Sequence, residues 1–357
     1  MPRLKAARPF LTVVFFCLVS VVADSQPRVA RIGVMTDASA KMAEFGRQTF
    51  LGAQLAEQEL NSEGIPTKVY YEDVAMDTGR AVSAATKLIN VDQVAAVYAE
   101  FTPIAAAISP IMIKDKKILL HRTGGNAIVK SNPYAFKSYV DFTDGCELIT
   151  RHFTKQGIKN VAILRIAMET GEICFEGVNK VIKPELDFVF NPSALLSTEI
   201  LRAKQKGVEL VVFMGYEPDF LNTLKAMQDL NYAPKIATIE SVVTAQVVNK
   251  FPTLSKNIFA FGMPKVSSDF VTKLKKLDPK NSLVSLDAAA SAYVHVKQLA
   301  KVILECPDND LECQIGKLES AQPDAATSFT KWVQRKADFP PALRTWTNGI
   351  QAPIELN

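Results

Sequence analysis

The sequence predicts an α/β fold built from two lobes, each a doubly wound parallel sheet, and three observations carry that expectation. Residues 29–61 read as one strand, one loop and one helix: Val29, Ile32, Val34 and Met35 form a short apolar run, and Phe50, Ala53, Leu55, Ala56 and Leu60 then recur near helical spacing. Strand and helix keep alternating through short loops, the pattern of a parallel sheet covered on both faces. A second series of the same kind begins after residue 141, in a chain of 357 residues that is too long for one simple core.

Taken in order, K-V-Y-Y-E-D at 68–73 is a second strand, with a helix through A-V-S-A-A-T-K-L-I-N. V-A-A-V-Y-A (94–99) is the third strand, leaving through E-F-T-P into a helix, and K-I-L-L-H (117–121) is the fourth, leaving through R-T-G-G-N-A. Residues 135–141 are read as a crossing between lobes. The second series has strands at 160–166, 187–190, E-L-V-V-F-M-G-Y ending at Tyr216, and K-I-A-T-I-E ending at Glu240. The chain crosses back near 259–265, adds two helices of which the second has an apolar face suited to the first lobe, and crosses a third time into a hairpin about Asn348-Gly349. The expected division is 27–140 plus 264–335 for lobe one and 141–263 plus 336–357 for lobe two.

The first 23 residues stand apart: Arg3, Lys5 and Arg8 precede a mostly apolar run from Phe10 to Ala23 that ends in small residues. A charged start and a stretch of about 14 apolar residues describe a secretory signal peptide, whereas a membrane span needs roughly 20. Cleavage is expected near Ala23, giving a soluble exported protein of the periplasm; Cys17 lacks the small preceding residue of a lipoprotein site. Removing Arg3, Lys5 and Arg8 takes the net charge from +4 to +1, so the global balance offers no case for nucleic-acid binding. With 48% hydrophobic and 22% charged residues the composition is globular, which excludes disorder and collagen-like repeats. Export permits disulfides. Cys306 and Cys313 bracket the turn-rich P-D-N-D-L-E and are the preferred pair; Cys146 and Cys174 either form a second bridge or stay as free thiols.

Four stretches carry a family resemblance: A-E-F-G-R-Q-T-F-L-G-A-Q-L-A-E-Q-E-L-N, Y-E-D-V-A-M-D-T-G-R-A-V-S-A-A-T-K-L-I, T-P-I-A-A-A-I-S-P, and the G-Y-E-P near Tyr216. In this order and spacing the chain resembles the type I periplasmic binding proteins, specifically the Leu/Ile/Val-binding group that serves ABC transporters. The resemblance implies a two-lobed Venus-flytrap clamp with three hinge crossovers, closing on a small ligand. It also implies an ABC permease of the inner membrane as partner, no cofactor, and a monomer.

Carried over by position, Thr102 stands where the family has a serine whose hydroxyl meets a ligand carboxylate. Gly124, Gly125 and Asn126 stand in the loop that holds carboxylate and ammonium, and Phe45 matches an aromatic that covers the ligand. Tyr216 and Glu240 match the tyrosine and glutamate that meet the amino group, which is sound chemistry for an ammonium in a closed cleft. Each residue also has a plainer reading: Thr102 as a helix cap, Gly124-Gly125 as a tight turn, Tyr216 as a core or rim aromatic, Glu240 as a solvated strand-end charge. Thr170-Gly171 replaces a Tyr-Gly that touches the ligand in relatives, so one aromatic wall is missing. Arg122 and Arg165, at strand ends outside the family pattern, either add an anion contact or pair with surface carboxylates. The departures leave leucine, isoleucine and valine open to replacement by another amino-acid-like solute, or by a urea, an amide or an aromatic carboxylate.

Nothing in the sequence supplies an enzyme's machinery. His121, His152 and His295 are scattered without metal-ligand spacing, and no GxSxG, Walker A, GxGxxG or CxxC occurs. A solute receptor for a permease and a sensory or regulatory binding protein on the same clamp remain, with a hydrolase on the same scaffold as a third possibility.

Overall fold

The computed structural model describes residues 28–281, 285–324, 326–327, 329–339, 342–347 and 350–354. The expected signal peptide, residues 1–23, and the expected turn residues Asn348 and Gly349 lie outside them. Five strands open the first lobe: β1 (Ala30–Thr36), β2 (Thr67–Asp73), β3 (Ala96–Glu100), β4 (Ile118–Arg122) and β5 (Ala135–Lys137). Between them run α1 (Ala43–Ser62), α2 (Thr78–Asn90), α3 (Thr102–Lys114) and the short α4 (Ala127–Ser131).

The second lobe begins with α5 (Phe142–Lys155) and continues with β6 (Val161–Ile166), α6 (Glu169–Asn179), β7 (Leu186–Phe190), α7 (Ser197–Gln205), β8 (Leu210–Met214) and α8 (Glu217–Asp229). It then adds β9 (Lys235–Ile239), the short helices α9 (Ala245–Lys250) and α10 (Pro252–Ser255), and β10 (Ile258–Gly262). The chain returns through α11 (Ser268–Leu277), α12 (Leu286–Glu305), α13 (Leu311–Glu319) and a small antiparallel pair, β11 (Trp332–Val333) and β12 (Lys336–Ala337). It ends on the second lobe with β13 (Ala342–Thr347) and β14 (Ile350–Ile354).

Among the described residues each sheet has seven strands, ordered β11-β12-β5-β4-β3-β1-β2 and β14-β13-β10-β9-β8-β6-β7. The strands from β1 to β5, and those from β6 to β10, pair in parallel, and β10, β13 and β14 pair antiparallel. Strand β12 pairs with β5, Lys336 opposite Lys137, so the third crossing starts after Ala337. The sequence boundary at 335/336 cut this pair because two residues are too few to carry a strand period. Residues 135–137, read as part of a crossing, are the strand β5, and the first crossing shrinks to 138–141. A helix long and apolar enough to cross a membrane is absent among the described residues.

Parallel strands buried on both faces need near-continuous apolar runs, and β3, β4, β6 and β8 are buried throughout. In lobe one α1 packs on α12 so closely that a Cβ on Gly52 would sit 1.9 Å from the Ala289 carbonyl oxygen. Glu59 of α1 joins these helices to α11: its carboxylate takes Lys273 of α11 at 3.0 Å, and Lys297 at 3.0 Å and the Tyr293 hydroxyl of α12. Burial opposes ionisation there, yet these three donors bring the Glu59 carboxyl down to about 2. A depressed carboxyl stabilises the fold above its unfolded pKa and loses that contribution as pH falls towards the folded value. Glu59→Gln should therefore flatten the stability profile between about pH 4.5 and 2. Thermal melts across that window check it, and an unchanged acid limb would remove Glu59 from the account.

Two disulfides are present among the described residues. Cys146–Cys174 ties α5 to α6 inside lobe two, and Cys306–Cys313 closes the turn between α12 and α13. Both cysteines of the first bridge are fully buried.

Candidate functional site

The strand orders reverse direction at β1/β3 in one lobe and at β6/β8 in the other, and open α/β sheets bind ligands at the carboxyl ends of such strands. After β1, the buried carboxylate of Asp37 accepts from the backbone N–H groups of Ala40 (2.7 Å) and Met42 (2.8 Å). That turn presents Met42 and Phe45 at the start of α1, and Gly46 lets the helix lie against it: a Cβ there would be 2.0 Å from the Asp37 carbonyl oxygen.

After β3, Phe101 adopts φ 67°, a left-handed conformation uncommon for a bulky residue. Its ring meets Phe45 at 5.3 Å, and the chain then starts α3 at Thr102. The first N–H groups of a helix have no intrahelical partner and carry the positive end of its dipole, so this turn suits an anion. After β4 come Thr123, Gly124 and Gly125.

Lobe two answers with Ile166 at the end of β6 and Met168, Glu169 and Thr170 beyond it, Met214 at the end of β8 and Gly215 and Tyr216 beyond it, and Ser241 and Val242 after β9. Phe142 and the crossing residue Tyr139 complete a cavity of about 170 Å³ between the lobes. The walls are mostly apolar: five aromatic rings and three methionines among the lining residues. The Tyr216 hydroxyl donates to the Met168 sulfur at 3.7 Å, and burial, then Asp219 and Asp37, pushes its phenol up to about 12, so it stays protonated. Lys41 from lobe one stands 5.8 Å from the Tyr216 ring centre, a contact across the cleft.

A charged cluster underlies the lobe-one floor. Arg122, with 1% of its side chain exposed, pairs with Glu100 (3.2 Å) and with Asp287 of α12 (2.6 Å). Its guanidinium lies 4.3 Å from the Tyr139 ring centre and 5.0 Å from that of Phe45. Glu100, fully buried, also accepts from Thr49 (2.7 Å), Tyr98 (3.1 Å) and Thr36 (3.3 Å). Burial raises the Glu100 carboxyl even against the pull of Arg122 and these donors.

Of the residues singled out from sequence, Phe45, Thr102, Gly124, Thr170 and Tyr216 line the cavity, and Gly125, Asn126 and Glu240 do not. Gly125 faces lobe two directly: a Cβ on it would lie 2.5 Å from the Glu169 carboxylate, and one on Gly124 would lie 2.3 Å from the Phe142 ring. Neither glycine has positive φ, so both are demanded by close approach and not by turn geometry. Asn126 donates to Asp141, which caps α5, and so ties the loop to the first crossing.

Glu240 requires a correction. Its carboxylate is paired with Arg344 of β13, lies against Gly262, and lines a different cavity of about 340 Å³. Strand β13 puts a cation beside Glu240, and a charge this enclosed is held by such a partner. Its neighbour Ser241 is the one that reaches the cleft. Arg165 is also taken, by Asp187 (2.7 Å) and Glu172 within lobe two. Sequence reasoning missed Glu169, Phe101, Tyr139 and Phe142. Their positions just beyond strand ends or in the crossing were the available signal.

A family model described as periplasmic binding protein matches residues 29–342. No curated protein sequence matches the chain. Among solved structures, an ABC-transporter solute-binding protein of R. palustris in complex with 4-hydroxybenzoate is similar at TM-score 0.80 and 17% identity, over 92% of this chain and 96% of that one. A leucine-binding protein of Thermotoga maritima is similar at TM-score 0.81 and 15% identity, over 91% and 98%. A branched-chain amino-acid transporter substrate-binding protein of Streptococcus pneumoniae, in complex with isoleucine, is similar at TM-score 0.80 and 18% identity, over 92% and 99%. With two switch points facing one cavity and a family model spanning both lobes, this chain belongs to the periplasmic binding protein family, in its two-lobed type I form.

Proposed function

We propose that this chain is an extracytoplasmic solute-binding protein of an ABC transporter and that its solute is a small aromatic carboxylate. The carrying observation is the cavity itself: about 170 Å³, walled by Phe45, Phe101, Tyr139, Phe142 and Tyr216, with the α3 N-terminus at one side. A cavity of about 150 Å³ accepts one benzene ring. An aromatic guest gains offset or edge-on contact with such rings, and sulfur–ring contact with Met42, Met168 and Met214.

The amino-acid reading needed Glu240 as the ammonium's partner, and Arg344 holds that carboxylate instead. The R. palustris relative in complex with 4-hydroxybenzoate supports the aromatic reading. Ligand contacts from both lobes favour the closed arrangement by their difference in affinity between states, and the closed form is what a permease would engage.

Thermal melts and calorimetry with benzoate, 4-hydroxybenzoate, leucine and isoleucine test this. At a hundredfold excess over Kd a ligand adds about 2.7 kcal/mol of stability. The benzoates should raise the melting temperature and the aliphatic amino acids leave it in place; the reverse ranking overturns the aromatic proposal.

A further inference from the structure

Among the described residues lining the cavity, two carry formal charge, Arg122 and Glu169. Arg122 is committed to Glu100 and Asp287 and lies against the rings of Tyr139 and Phe45. Glu169 is different: it opens α6, is exposed, and has no ion pair among the described residues. Its carboxylate stands against Gly125 of lobe one, and Glu169 lines the cavity from the lobe-two side.

The cleft is therefore polarised. The first turn of α3 attracts an anion, and Glu169 repels one. A ligand carboxylate belongs at the α3 turn, its ring between the aromatic walls, and whatever reaches Glu169 must bring a hydrogen to donate. Resting on the aromatic-carboxylate reading, we infer that Glu169 is a specificity residue that accepts a hydrogen bond from a hydroxyl or amino substituent on the ligand's ring. The same carboxylate rejects a second acid group by like-charge repulsion.

Calorimetry of the full chain and of Glu169→Ala against benzoate, 3-hydroxybenzoate, 4-hydroxybenzoate and terephthalate tests this. A hydrogen bond to a charged acceptor is worth roughly ten- to a hundredfold in affinity. At least one hydroxybenzoate should bind the unaltered protein tighter than benzoate by about that factor, and terephthalate should bind weakest. In Glu169→Ala the ratio of hydroxybenzoate to benzoate affinity should fall to within about threefold, whatever the affinity for benzoate itself becomes. Glu169 is exposed, so the substitution should leave the fold intact, which the melting temperature without ligand checks. If the unaltered protein binds benzoate and does not favour a hydroxybenzoate, or if Glu169→Ala keeps the preference, the role of Glu169 is overturned and the aromatic reading stands. If no aromatic acid binds, both are overturned.

Discussion

Arg122→Met is expected to destabilise the fold by about 3–5 kcal/mol, because it removes the cation from a buried cluster and leaves Glu100 uncompensated. Glu100 is fully buried and Arg122 nearly so, which places the pair in the regime where breaking one partner is costly. The loss should depend on pH. The Glu100 carboxyl is already raised, by burial first, and without the opposing guanidinium it rises further. A raised folded pKa means that the folded state holds the proton more tightly. The penalty is then absent well below the unfolded pKa and grows as pH rises through the folded one. Urea unfolding at pH 7 and pH 5 should show a smaller loss at the lower pH. Adding Glu100→Gln to Arg122→Met should recover part of the stability at pH 7, since the orphaned charge is gone. A loss that is small and independent of pH would mean that Arg122 is not the counter-charge of Glu100.

Gly124→Ala is expected to weaken ligand binding by about ten- to a hundredfold, with much less effect on unfolding. The added Cβ would fall 2.3 Å from the Phe142 ring, which belongs to the other lobe. Inserting a methyl group into packed surroundings costs about 1–3 kcal/mol, and each 1.4 kcal/mol is about tenfold in affinity. An open arrangement relieves the clash by separating the lobes, so the cost falls on closure. Calorimetry with the best aromatic acid, paired with small-angle scattering of the ligand-loaded protein, should show reduced affinity and a larger radius of gyration. Wild-type affinity would show that the loop at Gly124 does not approach Phe142 in the bound form.

Much of the fold was legible because its signals are local. Apolar runs such as V-A-I-L-R-I and E-L-V-V-F-M are what strands buried on both faces require, and the strand ends then locate the loops that can bind. Phe45, Thr102, Thr170 and Tyr216, which the family resemblance singled out in those loops, line the cavity. Short pieces escaped. Strand β12 is two residues long, and α4, α9 and α10 are too brief to show a helical period.

Glu240 marks the limit at the site. From sequence it is an acid at the end of a strand, as Glu169 is an acid at the start of a helix, and nothing local ranks one above the other. The hairpin at the C-terminal end brings Arg344 to Glu240 across 104 residues of chain, while Glu169 is left facing the cleft. The same holds for Arg122 and Arg165, one spent beneath the floor and the other within lobe two.

By itself the sequence determined the alternation of strand and helix, the division into two lobes and the loops at the strand ends, because periodicity and strand termini are written in neighbouring residues. Only the tertiary structure decided which charges line the cleft and which meet each other. Pairing between distant side chains, and the approach of Gly124 and Gly125 to the opposite lobe, depend on distances through space that no local pattern encodes.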